Sequence, residues 1–178
     1  TFFREFLGIL LLAIVIIILV QAMVGRAVVV GSSMEPSLHD GQKVLVNNMA
    51  YLFSEPKRGD IIIFAPPDTI ASGNDYIKRI IGLPGETVEI KEGIVYIHQP
   101  EGTILTLDEH EYIDDPARNY YLGSEIPMDN YFVLGDNRNK SSDSRGGWTA
   151  SREGIVGKAW LSIWPLSEWG LVPNYSLP

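Results

Sequence analysis

From Leu7 to Val20 no polar side chain interrupts the chain, and apolar character resumes after Gln21 with Ala22, Met23 and Val24. About 18 such residues at 1.5 Å each span a bilayer core with little to spare. A surface helix of a water-soluble domain would show polar residues every third or fourth position, and this stretch shows none. It reads as a retained transmembrane anchor, residues 1–26. A cleaved secretory signal is the competitor, but Val20-Gln21-Ala22 only loosely resembles a small-residue cleavage site. Arg4 and Arg26 flank both ends, so the positive-inside rule does not fix the orientation.

Beyond residue 26 the pattern changes to short apolar runs broken by Gly, Pro, Asn and Asp, which predicts a β-rich domain over 27–178. Strands are expected at Ala27–Val30, Gln42–Val46, Asp60–Phe64, Tyr76–Ile81, Thr87–Lys91, Ile94–His98, Tyr131–Leu134 and Gly157–Ile163. Lys91-Glu92-Gly93-Ile94 reads as a tight hairpin turn, and Asn47 to Phe53 as a short helix. Residues 99–130 carry Asp108, Glu109, Glu111, Asp114 and Asp115 against Arg118, and read as an acidic, solvated insertion that forms a small hairpin subdomain.

Composition narrows the function classes. There are 22 acidic against 14 basic residues, a net charge of -8, so the chain has no broad electrostatic footprint for a phosphate backbone and nucleic acid is not expected as partner. With no cysteine there is no thiol nucleophile, Cys-containing zinc site, iron–sulfur cluster or disulfide. No HExxH or other metal spacing surrounds His39, His98 or His110, and neither metal nor cofactor is expected.

Chemistry is concentrated in separate segments. Gly31-Ser32-Ser33-Met34-Glu35-Pro36-Ser37-Leu38 closes a strand with small residues and a proline turn, which would leave a hydroxyl exposed as a nucleophile, although alone it is an ordinary strand-to-turn junction. Asp75 to Glu86 forms an apolar strand that carries Lys78 and Arg79 and ends in Gly-Leu-Pro-Gly. Alternation sends the two cations to opposite faces. A lysine enclosed by Ile and Tyr loses solvation of its charged form, so its pKa falls and it can act as a neutral base, which arginine cannot. Gly135 to Gly146 is densely polar, supplying hydroxyls and an Asp–Arg pair that could orient an amine, or simply forming a solvated loop.

These segments, with Arg58-Gly59-Asp60-Ile61-Ile62-Ile63-Phe64 between them, resemble in order the bacterial type I signal peptidases, over Ala27 to about Ile163 together with the anchor. The resemblance implies a membrane-bound serine endopeptidase with a Ser/Lys dyad that removes signal peptides from exported preproteins after an Ala-x-Ala type site. Its catalytic domain would lie on the extracytoplasmic face of the plasma membrane. The fold implied is mainly β, an antiparallel coiled-sheet, β-barrel-like catalytic domain behind one N-terminal transmembrane helix. Carried over, Ser33 is the nucleophile and Lys78 the general base; Ser141 hydrogen-bonds the lysine amine while Asp143 and Arg145 buttress the site. The Ser33 amide would donate to the oxyanion. Some members add a serine hydroxyl two residues before the nucleophile, where this chain has Gly31. Met34, Leu38, Tyr76 and Ile77 would contact substrate.

The partners expected are preproteins and the lipid bilayer. Trp160, Trp164 and Trp169 crowd the C-terminal stretch and either seat the domain at the membrane interface or pack in its core. Two other readings stand beside this one. A self-cleaving Ser/Lys repressor would need a DNA-binding domain and no span, and a membrane-anchored binding module without activity would not acylate at Ser33.

Overall fold

The structure, a computed structural model, describes residues 2–67 and 74–178. Helix α1 (Phe2–Met23) runs directly into strand β1 (Val24–Val28). The described side chains of α1 from residue 3 to 18 are all exposed, and only Arg4 and Glu5 among them are charged. Among the described residues no helix is long and apolar enough to cross a membrane. Thr1, part of the expected anchor, lies outside the described residues.

The remaining strands are β2 (Lys43–Asn47), β3 (Ile61–Phe64), β4 (Tyr76–Gly82), β5 (Thr87–Lys91), β6 (Ile94–His98), β7 (Ile104–Thr106), β8 (Tyr121–Leu122), β9 (Asn130–Leu134), β10 (Ala150–Ser151), β11 (Ile155–Trp164) and β12 (Gly170–Leu171). The larger sheet runs β1-β2-β11-β3-β4-β9-β10 with β12 beside β11, and the smaller runs β7-β6-β5-β8. Every pairing is antiparallel. Register shifts within β11 and between β4 and β9 bend the larger sheet. The domain is thus mainly β with curled antiparallel sheets.

Each segment expected to be extended contains a strand. The predicted hairpin turn also forms: Lys91 pairs with Ile94, and Glu92 and Gly93 both have positive φ, 54° and 82°. Strands β7, β8, β10 and β12 escaped prediction because two or three residues are too few for alternation to show. The helix expected from Asn47 to Phe53 is absent. Those residues finish β2 and then turn, with the Asn47 side chain accepting from the Met49 amide at 3.0 Å, a local bond that competes with helical pairing. The acidic insertion is not a separate hairpin either, because its β7 and β8 flank β6 and β5 and complete the smaller sheet.

Apolar residues form three clusters. One, including Val29, Met34, Leu38, Val44, Ile61 and Ala159, lies under the β1 end of the larger sheet; another, including Ile81, Val88, Ile97, Phe132 and Leu134, joins the two sheets. The third gathers Tyr51, Ile62, Phe64, Ile80 and Val133. Trp160, Trp164 and Trp169 belong to none of them and stand 47%, 52% and 60% exposed, which sets aside core packing for these three.

Candidate active site

Strand β4 carries Lys78 and Arg79 in its middle, and both are buried, at 5% and 0% exposure. Each has an enclosed polar partner. Lys78 Nζ lies 2.7 Å from Ser33 Oγ and donates to the Ile77 carbonyl at 2.9 Å, 5.5 Å from the centre of the Tyr76 ring. Burial pushes the Lys78 ammonium down from its usual range to about 8, against the opposing pull of Asp143 and Asp136. An amine near neutrality beside a serine hydroxyl can accept that hydroxyl's proton, with the hydrogen bond reversed so that Oγ–H donates.

Ser33 is held by the loop after β9. The Asn137 amide donates to the Ser33 carbonyl and the Asn137 side chain to the Ser32 carbonyl, each at 3.0 Å. Gly135 makes this approach possible, since a Cβ there would overlap the Ser33 carbonyl oxygen and Ser141 Oγ. Asp143 accepts from the Gly135 amide at 3.2 Å and from Arg145 Nε and Nη2, both at 2.8 Å, while Arg145 also donates to the Arg138 carbonyl at 2.6 Å. The Asp143–Arg145 pair therefore braces the loop that clamps Ser33.

Ser141 sits in the same place without the bond the resemblance implies. Its Oγ is buried and has no hydrogen-bond partner among the described residues, while the lysine amine is taken up by Ser33 and Ile77. Gly31 has φ of 80°, a backbone state that a serine would adopt only with strain, and its amide donates to Asp40 Oδ1 at 2.7 Å. The backbone here disfavours a side-chain donor at position 31.

A groove of about 570 Å³ leads away from Ser33 and Lys78, with Gly25, Arg26, Val28, Tyr76, Ile77 and Val156 among its walls. Among the described residues two strand edges face it: β1 is the edge of its sheet, and β9 pairs with β4 only from Arg79 onward, leaving Tyr76 to Lys78 paired on the β3 side alone. Of the expected substrate contacts, Tyr76 and Ile77 line the groove. Met34 and Leu38 do not. They are 0% and 1% exposed in the cluster beneath it, because the turn after Ser33 points them inward.

Sequence reasoning missed Asp136, Asn137 and Asn48. Asp136 receives both Arg79 Nε and Nη2, at 2.9 and 2.7 Å, with neither side chain exposed. An arginine set among isoleucines on a strand was the available signal, since a buried guanidinium needs a carboxylate. Asn48 lines the groove with a buried Oδ1 that has no hydrogen-bond partner among the described residues, and nothing in its sequence context marked it. The histidines stand apart: His39 is exposed, His98 pairs with Glu89 at 2.8 Å and His110 with Asp108. Among the described residues no cluster of His, Asp and Glu is arranged to hold a metal ion.

Comparison with known proteins gives one consistent answer. The family model "Signal peptidase, peptidase S26" matches residues 3–164. A probable signal peptidase I-2 from Synechocystis sp. is 36% identical over 166 residues, covering 91% of this chain and 73% of the relative. Signal peptidase I from Leptolyngbya laminosa is 37% identical over 173 residues, covering 92% and 82%. The Bacillus licheniformis enzyme is 32% identical over 170 residues, covering 92% and 90%. A crystal structure of signal peptidase I from Enterococcus faecalis aligns at a TM-score of 0.47 and 32% identity, over 59% of this chain and 97% of that one.

Proposed function

Because the chain belongs to the peptidase S26 family of signal peptidases, we propose that it cleaves signal peptides from preproteins with Ser33 as nucleophile and Lys78 as general base. The observation that carries this reading is the 2.7 Å contact between Lys78 Nζ and Ser33 Oγ inside a buried pocket that holds the amine near pH 8. Lys78 takes the proton of Ser33 as Oγ attacks the scissile carbonyl, giving a tetrahedral oxyanion that the Ser33 amide meets. The amine then returns the proton to the leaving nitrogen, and water deacylates the ester by the same route. Asn137, Asp143 and Arg145 keep the nucleophile and base in register. The buried Ser141 hydroxyl, without a hydrogen-bond partner among the described residues, is the group that would take up the amine when Oγ becomes acylated.

An extended peptide fits between the free edges of β1 and β4, where main-chain hydrogen bonds supply affinity and small side chains supply the fit. Cleavage after Ala-x-Ala is the specificity proposed for this groove. The exposed apolar surface of α1 and the exposed Trp160, Trp164 and Trp169 support a membrane-seated enzyme, and the family supports a catalytic domain, residues 27–178, on the extracytoplasmic face. Groove residues follow the helix directly in the chain, since Gly25 and Arg26 line the groove just after Met23 closes α1.

Detergent-solubilised protein is expected to cut an Ala-x-Ala preprotein after the second Ala, and a penem directed at serine should add to Ser33, read by peptide mass. A chain that cuts no such substrate in detergent or lipid and resists acylation would be the binding module instead.

The pH profile tests the base separately. With the Lys78 pKa lowered to about 8, the neutral amine is scarce in acid. Hence kcat/KM should fall about tenfold per pH unit below that value and level off above it. A flat profile from mildly acid to alkaline pH would rule out a lysine base.

A further inference from the structure

Ser142 lines two hollows. One is the groove that holds Ser33 and Lys78; the other, of about 460 Å³, is lined also by Asn119, Tyr120, Asn139, Ser141 and Arg145. We propose that this second hollow receives the mature part of the substrate, the residues that follow the scissile bond, and that Tyr120 contacts them. The inference rests on the Ser33/Lys78 reading above.

A peptide cut at Ser33 runs in two directions from the tetrahedral carbon, so a site of this kind needs an arm for the acyl half and an arm for the amine half. The first groove reaches Gly25 and Arg26, two and three residues after Met23 closes α1. The half that comes from the membrane, the signal peptide, therefore takes that arm. The amine half is assigned the hollow that shares Ser142 with that groove.

The walls differ accordingly. The first groove has Val28, Ile77 and Val156 beside its polar residues, whereas the second is lined by two asparagines, two tyrosines and two arginines, Arg145 and Arg138, whose charges Asp143 and Glu109 take up at 2.8 and 2.6 Å. Such a surface suits the backbone of an extended polypeptide of varied sequence better than one particular side chain. Asn119 and Tyr120 come from the acidic insertion, and that segment is tied to the loop that clamps Ser33. Asn139 Nδ2 donates to the Pro116 carbonyl at 3.0 Å, the Arg118 amide donates to Asn139 Oδ1 at 3.2 Å, and Arg138 meets both carboxylate oxygens of Glu109 at 2.6 Å. The wall is thereby held in fixed relation to the nucleophile, which gives the insertion a role in catalysis by position.

Tyr120 is 62% exposed, so its substitution leaves the core intact. Two peptides sharing one signal side and an Ala-x-Ala site make the test, one ending as an amide a single residue after the cut and one continuing well past it. Full-length wild type in detergent should cleave both, the longer with the lower KM. Tyr120→Ala should raise KM for the longer peptide about tenfold, roughly 1.4 kcal/mol, with kcat and the shorter peptide unchanged. Tyr120→Phe should retain most of the affinity, because the ring face makes the contact. Equal effects on both peptides, or none on the longer, would overturn the subsite while leaving the dyad in place. A wild type that cuts neither peptide would remove the dyad reading and this one with it.

Discussion

Lys78→Met is expected to lower preprotein cleavage by a factor on the order of 10³ to 10⁴, at the upper end of what a general base contributes. Ser33→Ala should cost more, on the order of 10⁶, and the double variant no more than Ser33→Ala alone, because nucleophile and base act as a unit. Loss of activity through unfolding is separable from this. Lys78 lies at 5% exposure, so Met in its place removes a desolvated charge and fills similar space; the folded state should be as stable as wild type or more so at neutral pH. The pH dependence of that gain has a definite sign. The folded pKa of about 8 lies below the ordinary 10.5. Below pH 8 the amine is protonated in both states and the full cost of burying it is carried. Between the two values the unfolded chain binds more protons, so wild-type stability rises with pH, and above 10.5 the cost is gone. Urea unfolding of both proteins at pH 7 and near pH 10 measures this, and the advantage of Lys78→Met should shrink at the higher pH. Full activity in a folded Lys78→Met protein would dispose of the lysine base.

How much of this was legible in the sequence depended on the range of the interaction. The strands that carry the site, β3, β4 and β9, showed themselves as apolar runs because both of their faces are buried. Ser33 and Lys78 were singled out by local chemistry, a hydroxyl on a proline turn and an amine inside a hydrophobic strand. Their meeting was not readable from pattern: they are 45 positions apart, and the contact exists because β4 lies beside the loop after β9, which in turn grips residues 32 and 33 through Asn137. Only the ordered motifs of the family hinted at it. Met34 and Leu38 show the converse, since adjacency to a motif says nothing about which way a turn directs a side chain. Two residues after Ser33 the chain enters a proline turn, and its apolar members fall inward.

Arg79→Met should destabilise the folded protein by about 3–5 kcal/mol, the cost of leaving one member of a buried ion pair alone. The guanidinium joins every segment of the site. It pairs with Asp136 on the clamping loop, donates to Ser37 Oγ at 3.3 Å on the turn that follows Ser33, and donates to the carbonyls of Gly59 and Pro173 at 2.8 and 2.9 Å. The rings of Tyr112 and Tyr175, stacked 5.0 Å apart, lie 4.3 and 5.1 Å from it. A methionine meets none of these oxygens and strands the Asp136 carboxylate where it has 2% exposure. For a chain of this length the loss corresponds to a fall in Tm of about 10 °C. Cleavage should decline with it even at temperatures where the variant stays folded, since Ser37 and Asp136 flank the elements that set the Ser33 to Lys78 distance. Arg79→Met with Asp136→Leu separates charge from shape. With the carboxylate gone, much of the stability should return, but the hub that ties turn, strand and loop is still missing, so activity should not. Denaturant unfolding and preprotein cleavage of the single and double variants decide the matter. A loss under about 1 kcal/mol in Arg79→Met, or equal recovery of stability and activity in the double variant, would mean that Arg79 does not position the dyad.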